Sequence, residues 1–105
     1  MTNEQFEKVA KWQKKTFPEA TALSKACHLS EEVEELMTEI ALYNGPSKTK
    51  RLEYADCFLL LFGSAHSDGM SYEDICNCIE EKFEIVKKRE WGTPDKNGVV
   101  HHLKN

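Results

Sequence analysis

Two pairs of acidic residues, each spaced like neighbours on one helix face, are the residues of this chain best suited to chemistry. The pairs are Glu32-x-x-Glu35 and Glu53-x-x-Asp56, and each lies in an otherwise apolar stretch. A carboxylate on a core-facing helix surface is costly to desolvate unless a positive charge meets it. A divalent cation neutralises several carboxylates at once, so the pattern predicts a metal site.

The helical wheel separates these acids from their acidic neighbours. At roughly 100° per residue, two stripes run side by side along the first acidic helix. One is apolar, Leu29, Val33, Leu36 and Ile40, and the other is His28, Glu32, Glu35 and Glu39. Glu34 points to the far side, which makes the alternative pair Glu31 and Glu34 a poorer ligand set. We expect Glu31, Glu34 and Glu39 to be solvated.

The second acid pair is flanked on its own face by apolar residues and a glycine, which are Leu52, Leu59, Leu60 and Gly63. We therefore expect Glu53 and Asp56, like Glu32 and Glu35, to lie within the apolar sector of a helix. Solubility alone would not place charges there.

The elements that position these acids are all helical. Periodicity and capping signals predict helices over about 3–16, from 21–24 to about 43, over 52–66 after a cap at Ser47, and from 71 to about 89. Ser71 and Asp74 resemble a capping box for the last helix. Residues 91–105, with Gly92, Pro94 and Gly98, predict an irregular tail. We expect one all-α domain, a four-helix bundle spanning 1–105.

The same periodicity predicts which residues of the first and fourth helices face inward. They are Phe6, Val9, Ala10, Gln13 and Phe17 on the first, and Ile75, Ile79, Phe83 and Val86 on the fourth. The third helix is apolar nearly all round, with Tyr54, Phe58 and Leu61 opposite Asp56. Because a helix of that kind is buried on both sides, and 105 residues give only a modest core, we expect a homodimer or homotetramer.

Composition excludes some classes of protein. A net charge of −4 with dispersed basic residues argues against binding to a nucleic acid polymer. The longest apolar stretch, residues 57–63, is too short to cross a bilayer. The four cysteines, Cys27, Cys57, Cys76 and Cys78, lack zinc-ribbon spacing, and no secretory segment is evident. We expect reduced core thiols in a cytoplasmic protein without membrane contact.

The fourth helix supplies charge of the opposite sign. Lys82 and Arg89 are seven residues apart with Val86 between them, so they share the face that carries Ile75 and Ile79. Phosphate oxygens suit this pair, because arginine offers a planar fork and lysine a mobile point charge. The alternative is that either cation reaches solvent or pairs with an acid.

Taken together, these features resemble the MazG-like nucleoside triphosphate pyrophosphohydrolases, and more closely their small dATP/dGTP diphosphohydrolase branch. The family pattern is Glu-x-x-Glu, a variable gap, then Glu-x-x-Asp. Three further segments look like that branch, residues 12–17, residues 28–32 and the tail from Arg89-Glu90-Trp91-Gly92 to Val99-Val100-His101-His102. One departure is Lys87-Lys88 before Arg89, where similar sequences often have an asparagine.

The resemblance implies an enzyme that cleaves a nucleoside triphosphate, such as dATP or dGTP, to the monophosphate and pyrophosphate. It implies Mg²⁺, with Mn²⁺ as a substitute, held by Glu32, Glu35, Glu53 and Asp56. Glu32 or Glu35 would take the proton of the attacking water. The substrate-binding candidates are Lys82, Arg89, His28, Trp12 and Trp91, with Phe17 a further candidate beside the base.

Other classes fit less well. A ferritin-like di-iron bundle needs Glu-x-x-His on two helices, and no glutamate here is followed by a histidine three residues on. The zinc alternative rests on Cys76-x-Cys78 alone. A non-enzymatic helical bundle that only associates with a partner is the serious alternative, although it leaves the inward acids unexplained.

Overall fold

The computed structural model describes residues 1–103 and contains four α-helices in the predicted order. They are α1 (Asn3–Thr16), α2 (Ala22–Leu42), α3 (Lys48–Ser67) and α4 (Tyr72–Lys87). Among residues 1–103 no strand forms, and a single antiparallel bridge joins Trp91 and His102. The all-α prediction is confirmed. None of the helices within this range has the length and apolar character needed to cross a bilayer.

The helix boundaries follow from local side-chain chemistry. Thr2 accepts from the backbone N–H of Gln5, whose side chain in turn accepts from the backbone of Thr2. Thr21 and Ser24 form the same reciprocal cap on α2. Ser47 accepts from Lys50 N at the start of α3, as the sequence predicted. Each cap satisfies amide donors that the first turn leaves without a partner.

The end of α3 is a turn that requires glycine. Gly69 has a φ of 101°, in the region that residues with a side chain rarely adopt. Its N–H donates to His66 O, and Met70 N donates to Ala65 O, both at 3.0 Å. This pair of bonds is a Schellman motif, and it explains why Asp68-Gly69 closes the helix.

The chain forms two compact units, Met1–Glu73 and a second that begins at Asp74. Within the first unit, α3 packs along α2 and against α1. Phe6 is 3% exposed, and its ring meets the rings of Phe62 and His66 with centroids 6.3 and 5.5 Å apart. Ala10 and Leu36 are also buried. The expectation of one domain over 1–105 stays a prediction.

The second unit holds the rest of α4 and a tail that is more ordered than the sequence predicted. Gly92 N donates to His101 O at 2.9 Å, and Leu103 N donates to Glu90 O at 2.8 Å. The Asp95 carboxylate accepts from the backbone N–H groups of Asn97 and Val99. The tail therefore doubles back on itself as a short hairpin.

Several predicted inward positions are exposed in the chain. Ile75 is buried, whereas Ile79 and Phe83 are 60% and 57% exposed. Val33 and Ile40 of the apolar stripe on α2 are also exposed. Phe17, predicted on the inward face of the first helix, is 52% exposed as well. These burial predictions were wrong for a single chain, because periodicity identifies an apolar face without saying what covers it.

The cysteine prediction is partly confirmed. All four are free thiols, as expected. They are not core residues, since Cys57 is half-buried and the other three are exposed. That part of the expectation was wrong.

Candidate metal centre and nucleotide cavity

Three of the predicted acids come together where α2 runs beside α3. One carboxylate oxygen from each of Glu32, Glu35 and Glu53 lies within 4.8 Å of the other two. Glu32 and Glu35 stand one turn apart on α2, and Glu53 faces them from α3. The close packing of these two helices therefore assembles the cluster from the two sequence pairs.

Glu32 and Glu53 are half-buried, and 19% of the Glu32 side chain is exposed. Desolvation and the neighbouring carboxylate of Glu35, followed by a hydrogen bond with that group, raise the pKa of Glu32 above its usual range. His28 lies one turn earlier on α2, with Nε2 3.2 Å from Glu32 Oε1. The site thus holds like charges closer together than a metal-free protein favours.

Asp56 lies beside this cluster without joining its closest group. The charge of Asp56 contributes to the raised pKa of Glu32. It also helps to raise the pKa of the Cys57 thiol, behind desolvation and the charge of Glu32. All four predicted ligands therefore share one region of negative potential.

The predicted burial of the acids was only half right. Glu32 and Glu53 are half-buried, but Glu35 and Asp56 are exposed. The four acids lie at the edge of the contact between α2 and α3, where carboxylates keep part of their hydration. Glu31 and Glu34 are exposed as expected, whereas Glu39 is half-buried rather than solvated.

A cavity of about 620 Å³, open to solvent, adjoins the acids. Its walls come from all three helices of the first unit and from the α1–α2 connection. The lining residues are Trp12, Gln13, Phe17, Ala20, Ser24, Lys25, His28, Glu32, Asp56, Leu59 and Leu60. The volume falls within the range of small-molecule sites. Apolar and aromatic groups in the wall suit a ligand with an apolar part, and cations bound to the two acids would attract an anionic part of the same ligand.

Trp12 and Phe17 form an aromatic pair in the cavity wall. Their rings meet edge to face with centroids 5.6 Å apart. Both side chains remain more than half exposed although they are large and apolar. Exposed aromatic surface in a concave site is suited to stacking on a planar ligand.

Lys25 is a cavity residue that the sequence reasoning missed. Its Nζ donates to Ser67 Oγ at 2.8 Å and to Gly63 O at 3.4 Å, which ties α2 to the end of α3. Desolvation lowers the pKa of Lys25 below its usual range. Lys25 lies one helical turn before His28, on the face of α2 that carries Glu32. A helical wheel that began at residue 25 and not at residue 28 would have placed it beside these residues.

Lys82, Arg89 and Trp91 belong to the second unit. Lys82 is exposed on α4, and Arg89 follows the end of that helix, half-buried. Trp91 donates from Nε1 to Val86 O at 3.2 Å, and its ring meets His102 edge to face at 6.2 Å. Their predicted roles toward a substrate stay predictions.

The acid cluster fits a divalent cation. Its donors are all carboxylate oxygens, which hard cations such as Mg²⁺ and Mn²⁺ prefer. Without a cation, the approach of Glu32, Glu35 and Glu53 leaves their repulsion uncompensated. A helical protein with this cluster beside a cavity of nucleotide size belongs, by fold and site, with the metal-assisted hydrolases of the MazG-like type.

Comparisons with known proteins support this classification. A family model described as dATP/dGTP pyrophosphohydrolase matches residues 5–105, and the chain belongs to that family. A solved structure described as "Cyanophage S-2L MazG-like pyrophosphohydrolase bound to dGDP and three catalytic Mn2+ ions per active site" is similar, with a TM-score of 0.76 and 25% identity over 99% of each chain. The curated proteins provide no match. The resemblance, the fold class and the enzyme class inferred from the sequence are confirmed.

Proposed function

We propose that this enzyme hydrolyses dATP and dGTP to the monophosphate and pyrophosphate, with Mg²⁺ or Mn²⁺ held by Glu32, Glu35, Glu53 and Asp56. The observation that carries the proposal is that Glu32 and Asp56 line a cavity large enough for a nucleoside. The family supports the reaction, and the similar phage enzyme, described with dGDP and Mn²⁺, supports the ligands.

Different parts of the cavity suit different parts of the substrate. The base and sugar occupy the part lined by Trp12 and Phe17, whose exposed rings can stack on a purine. The triphosphate extends toward Glu32 and Asp56, where bound cations offset the repulsion between phosphate and carboxylate. Lys25 and His28 lie in the same wall and offer donors to the sugar or the phosphates.

The reaction adds one water across the bond between the α- and β-phosphates. Its hydroxyl ends on the monophosphate, and pyrophosphate leaves with the electrons of the broken P–O bond. Bound divalent cations supply charge neutralisation at the phosphates and a more acidic water. Glu32 or Glu35 accepts the proton of that water.

Lys82, Arg89 and Trp91 are further proposed substrate-binding residues, as the family resemblance implies. Two cations suit the β- and γ-phosphates, since Arg can hold two phosphate oxygens at once. Trp91 is held by its hydrogen bond to Val86 O on α4 and by the ring of His102 in the hairpin, and these contacts fix the orientation of its indole.

The proposed assembly is a dimer or a dimer of dimers. Tyr54, Phe58 and Leu61 on α3 are 44%, 57% and 52% exposed, so the apolar face predicted from the sequence lacks a cover in the single chain. Val33, Met37 and Ile40 add exposed apolar surface on α2. Association of two copies is a common way to bury such a face.

Product analysis tests the activity. The protein is incubated with each canonical dNTP and NTP plus Mg²⁺, and the products are separated by ion-exchange chromatography. We expect equal amounts of monophosphate and pyrophosphate, with the highest rates for dATP and dGTP. Diphosphate plus orthophosphate as first products would assign the chain a different chemistry. Absence of turnover, together with no thermal stabilisation by Mg²⁺ or Mn²⁺, would favour the non-enzymatic bundle.

A further inference from the structure

The side-chain amide of Gln13 is a buried polar group that the reaction described above does not use. Gln13 is 8% exposed, and its Oε1 atom is screened from solvent without a hydrogen-bond partner. Its Nε2 donates to Leu59 O over a long 3.4 Å. Buried polar atoms are nearly always paired, so an orphan acceptor in a cavity wall calls for an explanation.

Gly63 makes the room that the amide occupies. A Cβ atom at position 63 would stand 2.5 Å from Gln13 Oε1 and 3.0 Å from Nε2. Any other residue there would force the amide to move, so α3 has a gap at the point where α1 presents Gln13. The pairing of a glycine with a buried glutamine places the amide deep in the first unit.

The amide also has a defined chemical orientation. The carbonyl of Leu59 can only accept a hydrogen bond, so it is met by the NH₂ group of Gln13, and the oxygen is the free end. The last torsion of a glutamine is broad and soft. Rotation about it exchanges the weak bond to Leu59 for a new one, at small cost, once a donor enters the cavity.

Gln13 lines the same cavity as Trp12, Phe17 and the acids Glu32 and Asp56. Resting on the function proposed above, we propose that Gln13 determines base specificity by accepting a hydrogen bond from an N–H donor of the purine. On adenine this donor is the 6-amino group, and on guanine it is the ring N1–H or the 2-amino group. A base without such a donor leaves the Gln13 oxygen unpaired and lacks the stabilisation of one hydrogen bond.

The test compares dATP with the 2′-deoxyribonucleoside triphosphate of unsubstituted purine, which lacks only the 6-amino group. We expect the wild-type enzyme to prefer dATP in kcat/KM by about tenfold, the size of one neutral hydrogen bond. In Gln13→Met, which has similar length and no acceptor of comparable strength, the preference falls to about one. Thermal unfolding of the variant establishes that it folds.

Gln5→Met is the matched control. It is the same substitution on the same helix, at a residue that caps α1 and does not line the cavity. It lowers the unfolding temperature but keeps the preference for dATP. Equal kcat/KM for the two substrates in the wild type would overturn the role of Gln13, and so would a Gln13→Met enzyme that keeps the preference. Either result leaves the hydrolase activity intact, whereas failure of the proposed function would show no pyrophosphate release from any dNTP.

Discussion

Lys50 at the start of α3 donates from Nζ to the carbonyl oxygen of Tyr43 at 2.6 Å and to that of Gly45 at 2.8 Å. Its side chain is buried, with 6% exposed, although it carries a charge. The two bonds satisfy carbonyls left open at the end of α2 and join that end to α3. Glu53 follows Lys50 by three residues, so the same contact helps to fix the spacing between the two acid pairs.

Replacing Lys50 with Met should therefore destabilise the protein by about 1–3 kcal/mol, because the carbonyls of Tyr43 and Gly45 lose a charged donor. It should also weaken metal binding, since α2 and α3 lose a tie near the acids. Urea denaturation and Mn²⁺ titration measure the two effects. Lys48→Met is the control, because Lys48 is exposed in the same first turn. Equal stability of the two variants would contradict the role of Lys50.

The acids are expected to be essential for turnover and dispensable for folding. Asp56→Ala or Glu53→Ala should lower the rate of pyrophosphate release by more than about a hundredfold. Loss of a residue that only orients a metal ligand costs about 10–100-fold in metal affinity or activity, and loss of the ligand itself should cost more. Without metal, stability should stay level or rise, because a repulsive charge is removed. Thermal unfolding with and without Mn²⁺ checks this point.

The control for the acid variants is Glu34→Gln, at an exposed position on the far side of α2. It should keep both the rate and the stabilisation by Mn²⁺. An Asp56→Ala enzyme with wild-type turnover would refute the assignment of the site.

Gly63→Ala should leave the thermal stability nearly unchanged while it reduces the preference for dATP. The new methyl group collides with the end of the Gln13 side chain, which is flexible, while the helix gains about 1 kcal/mol from losing a glycine. We expect these effects nearly to cancel in thermal unfolding. The preference for dATP over its analogue without the amino group should fall, because Gln13 is displaced. Unchanged preference would mean that the amide keeps its function after the shift.

The hairpin of the tail should loosen in acid. Backbone N–H groups of Val99 and Asn97 hold the pKa of Asp95 below its usual range, with a smaller contribution from His101. Because the folded-state pKa lies below the unfolded value of about 3.9, the ionised carboxylate stabilises the hairpin above that pH. This stability is lost as the pH falls through the folded-state pKa.

The amide NMR signals of Asn97 and Val99, followed from pH 5 to 2, measure the transition. Asp95→Asn keeps an accepting oxygen without the charge, so its hairpin signals should not titrate in this range. His101, whose Nε2 lies 3.4 Å from Asp95 Oδ2, is the other titratable group facing the carboxylate. A titration of equal size in the variant would contradict the assignment to Asp95.

Light scattering at micromolar concentration tests the assembly. We expect a mass of two or four times 12.1 kDa, and a shift toward monomer in a Phe58→Glu, Leu61→Glu double variant, because charges on an apolar face oppose its burial. Leu23→Glu is the control, since Leu23 is 73% exposed in the first turn of α2. A wild-type mass near that of one chain, with and without nucleotide and Mg²⁺, would refute the dimer.

Features governed by local chemistry were predictable from the sequence. The caps at Thr21 and Ser47 and the glycine turn after α3 lie within a few residues of what they satisfy. The helix boundaries were therefore correct to within a residue or two, except that α3 begins at Lys48, directly after its cap, and not at residue 52. The acid pairs were found because their spacing matches one turn of a helix. The family resemblance then supplied the reaction, which spacing alone does not contain.

The features that the sequence did not reveal depend on contacts between distant residues. The bonds of Lys25 to Ser67 and of Gln13 to Leu59 span more than 40 positions in the chain. Lys50 reads as an ordinary surface lysine until the end of α2 is placed beside it. The exposure of Ile79 and Phe83 was likewise not predictable, because an apolar stripe does not identify its partner.

The two tryptophans of the chain stand in very different surroundings. Trp12 lies in the cavity wall beside Phe17, and Trp91 contacts Val86 of α4 and His102 of the hairpin. A Trp91→Phe variant would leave Trp12 as the only indole. Its emission would then change when a purine stacks on it, so the protein carries an intrinsic fluorophore with which nucleotide entry can be timed, in a stopped-flow instrument, apart from the chemical step.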